Sequence, residues 1–230
     1  MTHARRIRSY AGRRGRGSAL TTRRLETLLG AHALPDGPLD RVAVFGRVAP
    51  LVLEIGSGHG DAAVAYAVAH PGHDVLAAEV HTTGVARMLA TADEAGVSNL
   101  RVVVDDGVPL LEDRVPPGTL DALHVFFPDP WPKARHAKRR LVGPGFLDVA
   151  HERLATGGVL LIATDDETYA AQALAELGVH GGFDVSTGER PAWRPVAGFE
   201  VRARDAGRVV TEVRAARRDR ADAAPGRRTR

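Results

Sequence analysis

The 230-residue chain has a formal net charge of +3 and no cysteine, which excludes disulfides, thiolate metal sites and cysteine nucleophiles. No apolar run approaches the roughly 20 residues needed to span a bilayer, and no apolar core follows the basic N-terminus, so that end does not read as a secretory signal. A cytoplasmic protein with no membrane partner is the expectation.

In chain order, residues 1–24 come first and hold eight arginines and no acid. They read as a mobile basic arm, of the kind that commonly contacts nucleic-acid phosphates. Residues 22–30 form a short helix with Leu25, Leu28 and Leu29 on one face, and 31–50 is a Pro- and Gly-punctuated connection. Strands are then expected at 51–55, 75–78, 100–104, 120–127 and 159–163, with helices at 61–70, 83–95, 144–155 and 166–177 between and after them. A last pair of strands, near 182–186 and 207–215, reads as antiparallel. Residues 214–230 hold seven arginines against Asp219 and Asp222, leaving the 189 residues between the two ends at net −10. The low-complexity stretch from 216 reads as a disordered basic tail, solvated or RNA-contacting, and 25–215 as one domain. Strand–helix alternation of this kind implies an α/β fold: a doubly wound, mostly parallel, seven-stranded sheet. In such sheets ligands bind beyond the C-terminal ends of the strands, and the chemistry-bearing residues of this chain fall there.

At the end of the first strand stand Glu54-Ile55-Gly56-Ser57-Gly58-His59-Gly60. Gly56, Gly58 and Gly60 permit a tight turn and a close backbone approach to a ligand. The spacing is G-x-G-x-G, not the G-x-G-x-x-G of dehydrogenases. Glu54 suits a cofactor with a positive end, such as the amino group and sulfonium of S-adenosylmethionine, better than a pyrophosphate. Glu79 closes the second strand, where an acid accepts from ribose hydroxyls. Asp105 and Asp106 follow the third, where an acid receives an adenine amino group. The fourth strand ends in Phe126-Phe127-Pro128-Asp129-Pro130-Trp131-Pro132-Lys133. Each proline restricts itself and the residue before it, so Asp129 is expected in a rigid turn, held in a set direction. Lys133, Arg135, His136, Lys138, Arg139 and Arg140 crowd the next eight residues, pointing to an RNA backbone contact. The two lysines, Lys133 and Lys138, are the only ones in the chain. The ten histidines show no ligand spacing, so no metal is expected.

The run FFPDPWPKARHAKRR, with ATDDETYA at 163–170 and RSYAGRRGR in the arm, resembles the signature of the bacterial tRNA guanine-N7 methyltransferases. The resemblance spans about residues 5–215. It implies a Rossmann-like class I methyltransferase domain that moves a methyl group from S-adenosyl-L-methionine to N7 of a guanine in the tRNA variable loop (tRNA position 46). Glu54, Glu79 and Asp106, with the Gly56–Gly60 backbone, would hold the cofactor. Asp129 would touch both cofactor and base as the catalytic residue. Lys133 and Asp165 would contact tRNA, as would Phe199 and Glu200 in a segment the family writes R-P-x-T-K-F-E; Arg13, Arg14, Arg16, Arg135, Lys138, Arg139 and Arg140 would grip the backbone. Here Ala197 and Gly198 replace the family's Thr and Lys, which keeps open a class I methyltransferase acting on another RNA or a small molecule. A non-catalytic RNA-binding protein retaining the fold is the other alternative.

Overall fold

The computed structural model describes Tyr10 and residues 17–219; the arginines expected in the arm at 13, 14 and 16, and the tail beyond 219, lie outside the described residues. The elements are α1 (Ala19–His32), α2 (Arg41–Phe45), β1 (Leu51–Ile55), α3 (Asp61–Ala69), β2 (Asp74–Ala78), α4 (Thr82–Glu94), β3 (Leu100–Val103), α5 (Gly107–Pro109) running into a π turn (Leu110–Arg114), β4 (Leu120–Phe126), a 3₁₀ turn (Ala134–Arg139), α6 (Pro144–Arg153), β5 (Leu154–Thr164), α7 (Glu167–His180), β6 (Phe183–Gly188), α8 (Gly198–Asp205) and β7 (Thr211–Arg217).

Every residue of β1 is buried, and its side chains alternate between two cores. Leu51, Leu53 and Ile55 join Phe146 and Leu147 of α6 and Tyr169 and Leu177 of α7. Val52 joins Val64 and Ala67 of α3 and Val85, Met88 and Leu89 of α4. A strand apolar on both faces belongs inside a parallel sheet covered on both sides. The sheet order is β3-β2-β1-β4-β5-β7-β6, parallel as far as β5, with β7 antiparallel to both β5 and β6. The winding reverses between β1 and β4, and the crevice beyond their C-terminal ends is where such sheets bind ligands.

Differences from the sequence reading have local causes. Helix α1 begins at Ala19, inside the stretch read as arm, because the Ser18 hydroxyl accepts from Thr21 N and caps it. Within the stretch read as connection, Asp40 caps α2 through Ala43 N and Gly46 ends it in a left-handed conformation. Strand β5 begins at Leu154, well before the expected 159, because Leu154 pairs with Leu120 before the register shifts and resumes at Val159 against Ala122. Gly158 makes this bulge possible: a Cβ there would lie 2.8 Å from Leu120 O. Helix α8 was unexpected, since half its residues are charged and its apolar face is weak. Glu200 in its first turn and Arg202 and Arg204 in its last complement the helix dipole. Strand β7 continues to Arg217, two residues into the stretch read as tail.

Candidate active site

The turn after β1 carries positive φ at Gly56 (74°), Gly58 (57°) and Gly60 (80°), a region other residues seldom enter. Gly56 and Gly58 wall a cavity of about 460 Å³. Gly60 does not reach it. A Cβ there would lie 2.2 Å from Met88 Cγ, so the packing of α3 on α4 also calls for glycine at this position. The same cavity is walled by Glu54, Glu79 and Asp106 from the ends of β1, β2 and β3. Glu79 is already engaged with the turn, its Oε2 accepting from Gly58 N at 2.7 Å and its Oε1 from His81 N at 2.8 Å. Asp106 caps α5 through Val108 N at 3.0 Å. Carboxylate oxygens keep a further lone pair after one such bond, so both remain able to accept from a ligand.

Glu54 is different. It is 3% exposed, its Oε2 lies 3.7 Å from His124 Nδ1, and that oxygen has no hydrogen-bond partner among the described residues. A buried carboxylate left so poorly compensated is costly. A cationic ligand group in the cavity would satisfy it. The donor set therefore fits a cofactor with a positive end.

The cavity is also walled by Phe127 and Asp129, after β4, and by Phe199 and Glu200, in α8. Phe127 (φ 50°) and Trp131 (φ 45°) both precede prolines and both adopt left-handed backbone, although a following proline favours extended backbone. Each costs about 1–3 kcal/mol and persists only where surroundings hold it. Phe127 N donates to Ala163 O at 2.7 Å. The Arg194 guanidinium lies 4.7 Å from the Phe126 ring centre and 5.5 Å from that of Phe127. Arg139 lies 4.9 Å over Trp131. Arginines as well as prolines thus bear on this segment, which was expected to be rigid. Asp129 itself is exposed at the cavity wall.

The sequence reading missed Arg194. It is 2% exposed, ion-paired with Glu200 at 3.3 Å and with Glu212. Burial pulls its guanidinium below the ordinary arginine range, and Glu212 and Glu200 counteract this. Burial likewise raises the Glu212 carboxyl, opposed by Arg194. Glu200, expected to meet substrate, is 2% exposed. Its carboxylate is held by Arg204 at 2.7 Å, Arg194 at 3.3 Å and Arg190 at 3.5 Å. These pairs anchor α8 over Arg194, while Glu200 also lines the cavity where it was expected to meet substrate. Phe199 is 56% exposed, its ring within 16° of parallel to that of Phe127, with centres 6.5 Å apart. Arg202, one turn along α8, also lines the cavity and places its guanidinium 4.3 Å over Phe199. Only the R-P-x-x-x-F-E segment hinted at these residues.

Lys133 and Asp165 stand outside the cavity wall; Asp165 pairs with Arg208 at 2.8 Å. Lys133, Arg135, Lys138 and Arg139 are exposed on and beside the 3₁₀ turn. Partial desolvation, then the charges of Arg139, Arg135, Lys133 and Lys138, push the His136 imidazole below its ordinary range. Arg140, expected on the RNA backbone, donates within the protein to Pro130 O, Thr168 O, Thr168 Oγ1 and Gln172 Oε1. Among the described residues no cluster of three or more His, Cys, Asp or Glu has metal-ligand geometry, and no helix is long and apolar enough to cross a membrane.

A methyltransferase family model, Methyltransf_4, matches residues 48–213. The chain is 44% identical over 217 residues to a tRNA (guanine-N(7)-)-methyltransferase of Aeromonas hydrophila subsp. hydrophila, covering 91% of each. It is 45% identical over 215 residues to that of Methylococcus capsulatus, covering 91% of this chain and 93% of that one. Among solved structures it is similar to a variant of the 16S rRNA (adenine(1408)-N(1))-methyltransferase from Catenulisporales acidiphilia with cosubstrate SAM. There the TM-score is 0.57 at 21% identity, over 85% of this chain and 98% of that one. An rRNA methylase from Streptococcus thermophilus gives a TM-score of 0.53 at 14% identity, over 80% of this chain and 100% of that one. At such identities the likeness speaks to the fold, a Rossmann-like methyltransferase sheet.

Proposed function

Because the chain belongs to the tRNA (guanine-N(7)-)-methyltransferase family, we propose that it transfers a methyl group from S-adenosyl-L-methionine to N7 of a guanine in the tRNA variable loop. The observation that carries this reading is the buried Glu54 oxygen, without a hydrogen-bond partner among the described residues, sharing one cavity with Asp129. One wall is built for a cationic cofactor, and the other presents a carboxylate and an exposed aromatic ring.

The cofactor supplies an electrophilic methyl group on a sulfonium. Glu54 would take the cofactor's positive amino-acid end, the Gly56 and Gly58 backbone would let it approach, Glu79 would accept from the ribose and Asp106 from the adenine amino group. Guanine N7 has a free lone pair, so no residue need remove a proton before attack. The protein's contribution is then mostly positioning, which can be worth roughly 7–11 kcal/mol. The methyl group would pass to N7 as its bond to the sulfonium sulfur breaks, leaving a neutral thioether, and the Asp129 carboxylate would stabilise the positive charge that guanine gains. Asp129 also accepts from guanine N1–H and the N2 amino group, which selects against adenine. Phe199 offers the base a ring face. Arg202 returns a cation to the stretch where Ala197 and Gly198 lack the family's lysine.

N7 lies in the deep, narrow major groove of helical RNA, so the target must be in a loop or turned out of its stack. Lys133, Arg135, Lys138 and Arg139 face solvent beside Asp129 and would grip the backbone meanwhile. The test is transfer of labelled methyl to unmodified tRNA with nucleoside analysis. Label in 7-methylguanosine, lost in Asp129→Ala, is the expected result. Cofactor binding without label in tRNA would move the substrate elsewhere.

A further inference from the structure

Six cationic side chains or imidazoles crowd residues 133–140, yet one behaves unlike its neighbours. The Arg140 guanidinium commits four of its five N–H groups to the protein. Nε donates to Pro130 O at 2.9 Å, and Nη1 to Thr168 O at 3.0 Å and Gln172 Oε1 at 2.8 Å. Nη2 donates to Thr168 Oγ1 at 2.7 Å. The plane sits 5.5 Å from the ring centre of Tyr169, which is fully buried and whose hydroxyl accepts from Val142 N at 3.1 Å. Pro130 directly follows Asp129. Thr168 lies in the first turn of α7, where its hydroxyl donates to Asp166, the helix cap, beside Asp165.

We propose that Arg140 is a positioning residue for methyl transfer rather than an RNA contact: its fork staples the Asp129 turn to the N-terminal turn of α7. The physical need is visible. The turn carries two residues in left-handed backbone, Phe127 and Trp131, and relaxes unless held. Prolines stiffen it locally but do not fix where it stands relative to β5 and α7. A planar, always-charged fork with diverging donors does that, and lysine, a point charge with no fork, does not. The guanidinium spends its hydrogen bonds on neutral carbonyl, hydroxyl and amide oxygens, so it retains its charge near Asp129 while giving a phosphate almost no free donors.

The role rests on the tRNA methyl-transfer reading above, and its test is separable from that reading. Arg140→Lys, Arg140→Ala and the milder Thr168→Val are compared with Arg135→Ala and Arg139→Ala. Turnover on tRNA, KM, the slope of affinity against salt and amide hydrogen exchange over 127–142 are measured. Loss of the staple should lower kcat about 10- to 100-fold, the cost of a misplacement on the order of 1 Å, more in Ala than in Lys. The salt slope should stay at the wild-type value, and exchange over 127–142 should rise while that of α3 and α4 does not. In Arg135→Ala and Arg139→Ala the slope should fall by about 1 each. A shallower slope with unchanged kcat in Arg140→Ala would overturn the proposal in favour of a phosphate contact. A lowered Tm with wild-type kcat would overturn it in favour of mere structural support. If wild type makes no 7-methylguanosine, the substrate reading fails, and unchanged exchange over 127–142 in Arg140→Ala would then still refute the staple.

Discussion

The two walls of the cavity are built in opposite ways. On the cofactor wall, Glu54, Glu79 and Asp106 each sit at a strand end, and two of them are held by backbone N–H groups. Glu79 holds Gly58 N and His81 N; Asp106 holds Val108 N. On the substrate wall guanidinium groups make the contacts. Arg194 reaches under Phe126 and Phe127 and pairs with Glu200 and Glu212. Arg140 crosses to α7, and Arg202 backs Phe199. The first wall is backbone shaped by turns; the second is a set of side chains positioned by guanidinium groups.

That contrast is open to attack, and the largest effect should come from the substrate wall. Asp129→Ala should lower kcat by about 10²–10³, the scale of removing one transition-state stabiliser, with little change in cofactor affinity by calorimetry. Equal losses in both would mean the walls are not separable. Glu54→Gln should do the reverse: cofactor affinity weakens by roughly 10- to 100-fold, as for a lost charge-assisted bond of about 1.5–3 kcal/mol, while tRNA binding in filter assays stays unchanged. Gly60→Ala tests the packing role described above. It should cost about 1–3 kcal/mol of stability through overpacking on Met88 and the strained φ, seen as a lowered Tm, whereas cofactor affinity in the folded fraction should hold. A fall in affinity with normal Tm would return Gly60 to the ligand. Arg202→Ala should weaken tRNA binding severalfold and reduce its salt slope by about 1.

The smallest effect is with pH. Burial alone would raise the Asp166 carboxyl, but bonds from Thr168 Oγ1 and Tyr169 N and the charge of Arg140 carry it below its ordinary 3.8. Its contribution to stability is complete above that value, where folded and unfolded chains are both ionised. It is lost as pH falls through the lower folded value. Asp166→Asn should therefore lower stability slightly at neutral pH and flatten the acid limb, the two profiles converging at low pH; an unchanged acid limb would count against the link from Arg140 to the α7 cap.

The sequence by itself determined the seven strands, their mostly parallel pairing and the acids at their ends. Apolar runs, a glycine turn and a strand-end carboxylate are each encoded within about ten residues, and periodicity alone reports them. The proline-rich turn was legible for the same reason, and so was the exposed basic run. What only the tertiary structure decided is which member of a local pattern does which work. Gly56, Gly58 and Gly60 look alike in the sequence, but only Gly60 meets Met88. Arg139 and Arg140 are neighbours of one type, but Arg139 lies on Trp131 while Arg140 turns to partners 28 and 32 residues away. Glu200 reads as a substrate acid, and only the fold places Arg190, Arg194 and Arg204 around it. Helix α8, polar and short, has too weak an apolar face to announce itself and is held by those same ion pairs. A guanidinium finds its acceptors across long separations, and no spacing along the chain records the choice.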